Sequence, residues 1–227
     1  MKVILFGATG MVGQGALREC LLDPAVTHIL AVGRRATAQR HAKLEDLVRE
    51  NLFDFSDAEA RLSGYDACFF CLGIASAGMT EEAYTRVTHD IALAAAKILV
   101  RRNLAMTFVF VSGAGTDSSE RGRAMWARVK GKTENALLAM PFKAAYMFRP
   151  GLIQPLHGIT SRTKAYRVFY AVFGPLFPVV KALLPRYITT TAEIGRAMLR
   201  AAKQGAPKVV LESPDIVALA SAAPAAR

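Results

Sequence analysis

Three glycines, Gly7, Gly10 and Gly13, stand where a run of buried-strand residues, Val3 to Phe6, gives way to a helical pattern. Each position in such a triplet has its own task. The first glycine lets the strand turn sharply, the second removes a side chain where backbone must approach a pyrophosphate, and the third lets the helix pack close against the strand. The helix N-terminus then offers free N–H groups and the positive end of its dipole to the phosphates. Thr9, Met11 and Val12 complete the turn and belong to the same expected dinucleotide site. The Gly-x-x-Gly-x-x-Gly spacing departs from Gly-x-Gly-x-x-Gly and points to a separate branch of dinucleotide-binding folds.

Further along, Gly33, Arg34 and Arg35 end a second apolar run. An NAD site places an acidic residue there for the ribose 2′-hydroxyl. Two guanidiniums instead suit a 2′-phosphate, gripped through charge-assisted forks. NADP(H) is therefore the expected cofactor, with NAD(H) as the alternative. Asp54 and Phe55 are expected at the cofactor site, where Asp54 could accept from an adenine amino group or equally cap the helix that follows. Cys68 and Cys71 share a strand-like run and face opposite sides of it, so a redox pair or metal site is not expected. Backbone at Cys71, Leu72 and Gly73 is expected to lie against the cofactor. Lys130 follows Ser112 on a helical segment, and Phe148-Arg149-Pro150-Gly151 closes another strand, with Pro150 and Gly151 expected beside the cofactor. Gly131-Lys132-Thr133 is not a phosphate loop, because Trp126 occupies the place of the first glycine and the segment sits inside a helix.

Strand and helix patterns alternate along the chain. Expected strands are 2–6, 28–32, 52–55, 66–71, 107–111, 144–148 and 208–211. Expected helices are 11–22, 57–62, 81–102, 119–138, a proline-interrupted region over 163–184, and 192–203. Thr80 and Thr191 are the expected N-caps, and Gly205 ends the last major helix. Such alternation implies an α/β fold, a Rossmann-type doubly wound parallel sheet with right-handed crossovers. In it, residues 1–151 form the dinucleotide-binding core. Residues 152–227 form a small substrate-side region with the last strand and helix of the same fold. The alanine-rich tail from Ala218 is expected to fray.

The chain has 227 residues and a formal net charge of +11. The basic residues are scattered and no recognised module accompanies them, so nucleic-acid binding is not expected. No basic, long-apolar leader precedes the first strand, and the three cysteines cannot all pair, so the expected compartment is cytoplasmic. The apolar stretch Val168–Val180 carries Pro175 and Pro178 and is too short to span a bilayer. It reads as a core or lid element, with an oligomer contact as the alternative; a homodimer is compatible with it.

These motifs together resemble the atypical short-chain dehydrogenase/reductases, relatives of the nucleotide-sugar epimerases, and within them the Tat-interacting, oxidoreductase-like branch and its bacterial homologues. The resemblance runs from Lys2 to about Leu211. It implies NAD(P) binding and a catalytic Ser, Tyr and Lys, the Tyr four residues before the Lys. The Tyr passes the proton, the Lys holds the nicotinamide ribose, and the Ser holds the substrate oxygen. Ser112 and Lys130 match, whereas the Tyr position is Trp126. An indole N–H donates a hydrogen bond but supplies no proton at a useful pKa. Two functions follow: an NADP(H)-dependent oxidoreductase on a small carbonyl or alcohol, its proton donor relocated to a group such as Tyr84, His157 or Tyr166, or a catalytically silent NADP(H)-binding sensor or scaffold.

Overall fold

The computed structural model describes residues 1–160 and 188–222. Seven parallel strands form the central sheet: β1 (Lys2–Phe6), β2 (His28–Gly33), β3 (Leu44–Val48), β4 (Ala67–Phe70), β5 (Thr107–Val111), β6 (Ala144–Arg149) and, after two short strands, β9 (Val210–Glu212). Their order is β3-β2-β1-β4-β5-β6-β9. The chain winds outward in both directions from β1 and β4, which pair directly, Val3 with Ala67 through Phe6 with Phe70. That reversal opens a crevice at the carboxyl ends of these strands, where ligands bind in such sheets. A second, two-stranded parallel sheet joins β7 (Leu152–Gln154) and β8 (Ile188–Thr190).

Alternate residues of each strand face opposite layers. Val3, Leu5, Phe69, Val109 and Phe148 pack with α1 (Met11–Leu22), α5 (Thr191–Gln204) and α6 (Ser213–Ser221). Ile4, Phe6, Phe70, Phe108 and Phe110 face α3 (Ile91–Arg102) and Leu137 of α4 (Met125–Leu138). The rings of Phe6 and Phe70 stack at 5.1 Å, a tie across the β1–β4 junction. On the other side α1 and α5 cross closely, since a Cβ on Gly15 would meet the Thr191 carbonyl oxygen at 2.5 Å.

Several boundaries differ from expectation. The third strand is 44–48, not 52–55: Leu44-Glu45-Asp46-Leu47-Val48 is an edge strand with only Leu47 fully buried, so its apolar signal is thin. Leu52 and Phe55 are buried in the loop leading to a 3-10 turn, Ser56–Leu62. The helix expected over 81–102 is α2 (Glu81–Thr85), a π turn (Arg86–Asp90) and α3. Helix α4 starts at Met125 rather than 119, because Asp117 accepts from the N–H groups of Ser119, Arg121 and Gly122 and folds that stretch into a loop. Thr190, not Thr191, caps α5, in a reciprocal pairing with Glu193. The tail is helical through Ser221. The apolar stretch Val168–Val180 and the helical region 163–184 lie outside the described residues.

Candidate functional site

The glycine turn divides into two packing positions and one open position. Gly7 has φ +78°, and a Cβ there would lie 2.7 Å from the Leu72 nitrogen and 2.8 Å from the Cys71 carbonyl carbon. A Cβ on Gly13 would overlap the Gly7 carbonyl oxygen. Both glycines let β4 and α1 close on the turn. Gly10 is different: a Cβ there would meet only the Gly7 oxygen, at 3.3 Å, with open space beyond. Gly10 is also the N-cap of α1, with no side-chain cap and no acidic residue in the first turn. The orphan N–H groups of that turn are thus left to an anion. The turn fits a pyrophosphate.

At the end of β2, Arg34 and Arg35 are exposed, and among the described residues neither guanidinium has a hydrogen-bond or ion-pair partner. Their loop is anchored to the edge strand, where Asp46 accepts from the Thr37 N–H at 3.2 Å and the Thr37 hydroxyl at 3.0 Å. Arg49 lies beside them, its N–H on the Gly33 carbonyl at 2.9 Å. It is occupied, however. It forks onto Asp57 at 2.5 and 2.9 Å, reaches the Asp54 carbonyl at 3.1 Å, and lies 5.6 Å over the Phe55 ring. Asp54 accepts from the Ser56 N–H at 2.9 Å, a bond that lowers its pKa, just ahead of the 3-10 turn, whose N-cap Phe55 has no side-chain cap. Phe55 is fully buried, edge-on to Phe6 at 5.8 Å, so its side chain is core rather than ligand surface.

Beyond β5 the chain places Ser112, Lys130 and the Pro150 loop together. The Lys130 ammonium donates to the Ser112 carbonyl oxygen. Burial lowers the Lys130 pKa to about 8, against the opposing pull of Glu134. Gly113 keeps the ground before it clear: a Cβ at this residue would stand 3.7 Å from Nζ. The Pro150 carbonyl accepts from the Ala114 N–H at 2.9 Å, and the Gly151 N–H donates to Ser213 at 2.8 Å, which fixes this wall. Trp126 lies one turn before Lys130, and its ring edge would touch a Cβ on Gly115 at 3.4 Å.

Ser112 does not hold its hydroxyl toward this space. The hydroxyl donates to Glu134 and lies 3.1 Å from the Phe148 carbonyl. Glu134, 1% exposed, also receives the Arg149 guanidinium, whose Nε stands 3.0 Å from Oε1 and which reaches Ser118 at 2.6 Å. A buried charge needs its partner and its hydrogen bonds, and the serine hydroxyl is one of them. The expectation that this hydroxyl holds a substrate oxygen therefore does not match the geometry, although Ser112 reaches Lys130 through its carbonyl. Sequence reasoning missed Glu134. Its position one turn after Lys130 was the available signal.

Of the alternative donors, Tyr84 is buried in the core. His157 lies in a turn with φ +59° and lines a separate cavity with Gln14, Arg18 and His41. Tyr166 lies outside the described residues. Burial raises the thiol pKa of both Cys68 and Cys71, and no metal-ligating cluster occurs among the described residues. Among them, too, no helix is long and apolar enough to cross a membrane.

No protein-family model matches the chain. It is similar to the mitochondrial protein Fmp52 of Emericella nidulans, 30% identical over 207 residues that cover 88% of this chain and 86% of that protein. Fmp52 of Meyerozyma guilliermondii, also named mitochondrial, is 27% identical over 94% of this chain and 92% of its own. Rat HTATIP2 is 26% identical over 67% and 62%. Among solved structures, the Bordetella bronchiseptica enzyme WbmF in complex with NAD+ superposes with a TM-score of 0.67 at 15% identity, over 95% of this chain and 76% of that one. A short-chain dehydrogenase/reductase family oxidoreductase from Burkholderia thailandensis superposes with a TM-score of 0.65 at 15% identity, over 96% and 92%. The fold is thus that of the short-chain dehydrogenase/reductases and epimerases. The mitochondrial location carried by the fungal names overturns the expected cytoplasmic compartment.

Proposed function

The chain belongs to the Fmp52 family, and from that premise we propose that it is an NADP(H)-dependent oxidoreductase acting on a small carbonyl or alcohol. One observation carries the reading. The open glycine turn follows β1 and the Lys130 ammonium bonds the residue that follows β5, so the two stand at the carboxyl ends of the strands on either side of β4. A bound nicotinamide dinucleotide would supply or accept the hydride.

The protein's own part is to bind and orient. The first-turn N–H groups of α1 would hold the pyrophosphate, and backbone at Leu72 and Gly73 would border it. Arg34 and Arg35 would take a 2′-phosphate, since among the described residues both are unpartnered and the end of β2 carries them in place of an acidic residue. Lys130 would hold ribose hydroxyls, with Pro150 and Gly151 as the far wall. The chain beyond Gly151, of which β7 and β8 are described, would build the substrate side.

Trp126 and the inward-turned Ser112 hydroxyl favour one second reading, a silent NADP(H) sensor. Calorimetry with NADPH and NADH, followed by NADPH oxidation with 2,3-butanedione and menadione, separates the two. Turnover supports the enzyme, and stoichiometric binding without turnover supports the sensor.

A further inference from the structure

We infer that Lys130 itself delivers the proton to the substrate oxygen, in place of the side chain at position 126. The inference rests on the oxidoreductase reading above. Three features of the site lead to it. The side chain one turn before Lys130 is an indole laid on Gly115, with no acidic proton to give. The Ser112 hydroxyl is spent on Glu134 and the Phe148 carbonyl. The Lys130 ammonium, by contrast, has one hydrogen-bond acceptor among the described residues, the Ser112 carbonyl, and a glycine beside it.

An ammonium carries three donors, and the half-buried Lys130 ammonium has one acceptor among the described residues, which leaves donors for a ligand. A ribose hydroxyl and a substrate oxygen would complete its set. The charged groups bearing on Lys130 are few. Glu134 of its own helix is one turn away, already bonded to Ser112 and to Arg149 from β6. With a pKa of about 8, Lys130 is charged and able to donate in neutral solution, and it loses the donor form as pH rises through that value.

The step balances. A bound reduced nicotinamide would supply the hydride to the substrate carbonyl carbon and be oxidised in doing so. The carbonyl π pair moves onto oxygen, and an O–H bond forms as one Lys130 N–H bond breaks. The neutral amine then takes a proton from water.

The test uses the full chain with NADPH and 2,3-butanedione. Wild-type kcat should fall about tenfold per pH unit above about pH 8. Lys130→Arg keeps the charge and should lose about 10²-fold or more in kcat at saturating NADPH, since a guanidinium gives up no proton at this pH. In the ligand-free protein, the ε-carbon NMR signal of one lysine should titrate near pH 8 and be missing from Lys130→Arg. That titration and the wild-type profile decide the matter if the variant does not fold. A wild-type kcat that stays flat across this range, an arginine variant that keeps its turnover, or a Lys130 signal titrating with the surface lysines overturns the lysine's role and leaves the oxidoreductase reading standing. Wild type that binds NADPH but reduces no carbonyl overturns both.

Discussion

The Ser112 hydroxyl donates to Glu134, one turn of α4 beyond Lys130, while the Ser112 carbonyl oxygen accepts from the Lys130 ammonium. Ser112 is thereby a structural strut: its hydroxyl satisfies the buried carboxylate and its carbonyl fixes the lysine. Glu134 is 1% exposed and neutralised by Arg149, itself largely buried. Removing one partner of such a pair leaves an uncompensated charge, which costs about 3–5 kcal/mol. Glu134→Ala should therefore lose stability on that scale in urea unfolding. Glu134→Ala/Arg149→Met should recover much of it, and a double variant no more stable than the single one would show that the pair is not the cause.

Gly10→Val tests the anion site. The Cβ of the added side chain meets one backbone atom, the Gly7 carbonyl oxygen at 3.3 Å. The fold should survive, and NADPH binding should be lost in calorimetry. The contrasting substitution is Gly13→Ala, whose methyl group would overlap the Gly7 carbonyl. That variant should be destabilised with or without cofactor. A folded Gly10→Val protein with unchanged NADPH affinity would place the pyrophosphate elsewhere.

Arg34→Ala/Arg35→Ala should weaken NADPH by about 1.5–3 kcal/mol, the range for hydrogen bonds to charged groups. NADH should be little affected, because both guanidiniums are exposed and without partners among the described residues, and no other contact is broken. Arg49 is a built-in control. It sits at the same sheet edge but is committed to Asp57 and Asp54, so Arg49→Ala should lower stability more than cofactor preference. Equal weakening of both cofactors by the double variant would remove the case for a 2′-phosphate.

The same residues show what a sequence can and cannot display. β1, β4 and β5 are legible because a parallel strand buried on both faces is a continuous apolar run. The edge strand β3 is not, since Glu45 and Asp46 face solvent or serve the Thr37 loop, and the more apolar Leu52–Phe55 stretch imitates a strand while filling core from a loop. The glycine triplet stood out in the sequence by its place between strand and helix; only Gly13 answers to a steric demand close in the chain, at Gly7, whereas Gly7 is pressed by Cys71 and Leu72 from the end of β4. The direction of the Ser112 hydroxyl was not. It is decided by Glu134, 22 residues away, and by Arg149, which arrives on another strand.

Trp126→Tyr puts the two readings of the site in direct competition. The indole now rests on Gly115, in the loop that also carries Gly113 beside Lys130. A phenol in its place would project toward the same loop, and the neighbouring ammonium would favour the phenolate and lower the Tyr pKa from its usual value near 10. The variant should bind NADPH as wild type does and reduce 2,3-butanedione faster. The proton would then come from the phenol, and the alkaline limb of kcat should move to the pKa of that group. Adding Lys130→Arg to Trp126→Tyr should cost less than it does in wild type, because the proton no longer starts on the lysine. The measurement is NADPH consumption against pH for wild type, both single variants and the double variant. A tyrosine variant that binds NADPH normally and gains nothing would mean that the ring at position 126 serves packing on Gly115 alone and points away from the substrate space.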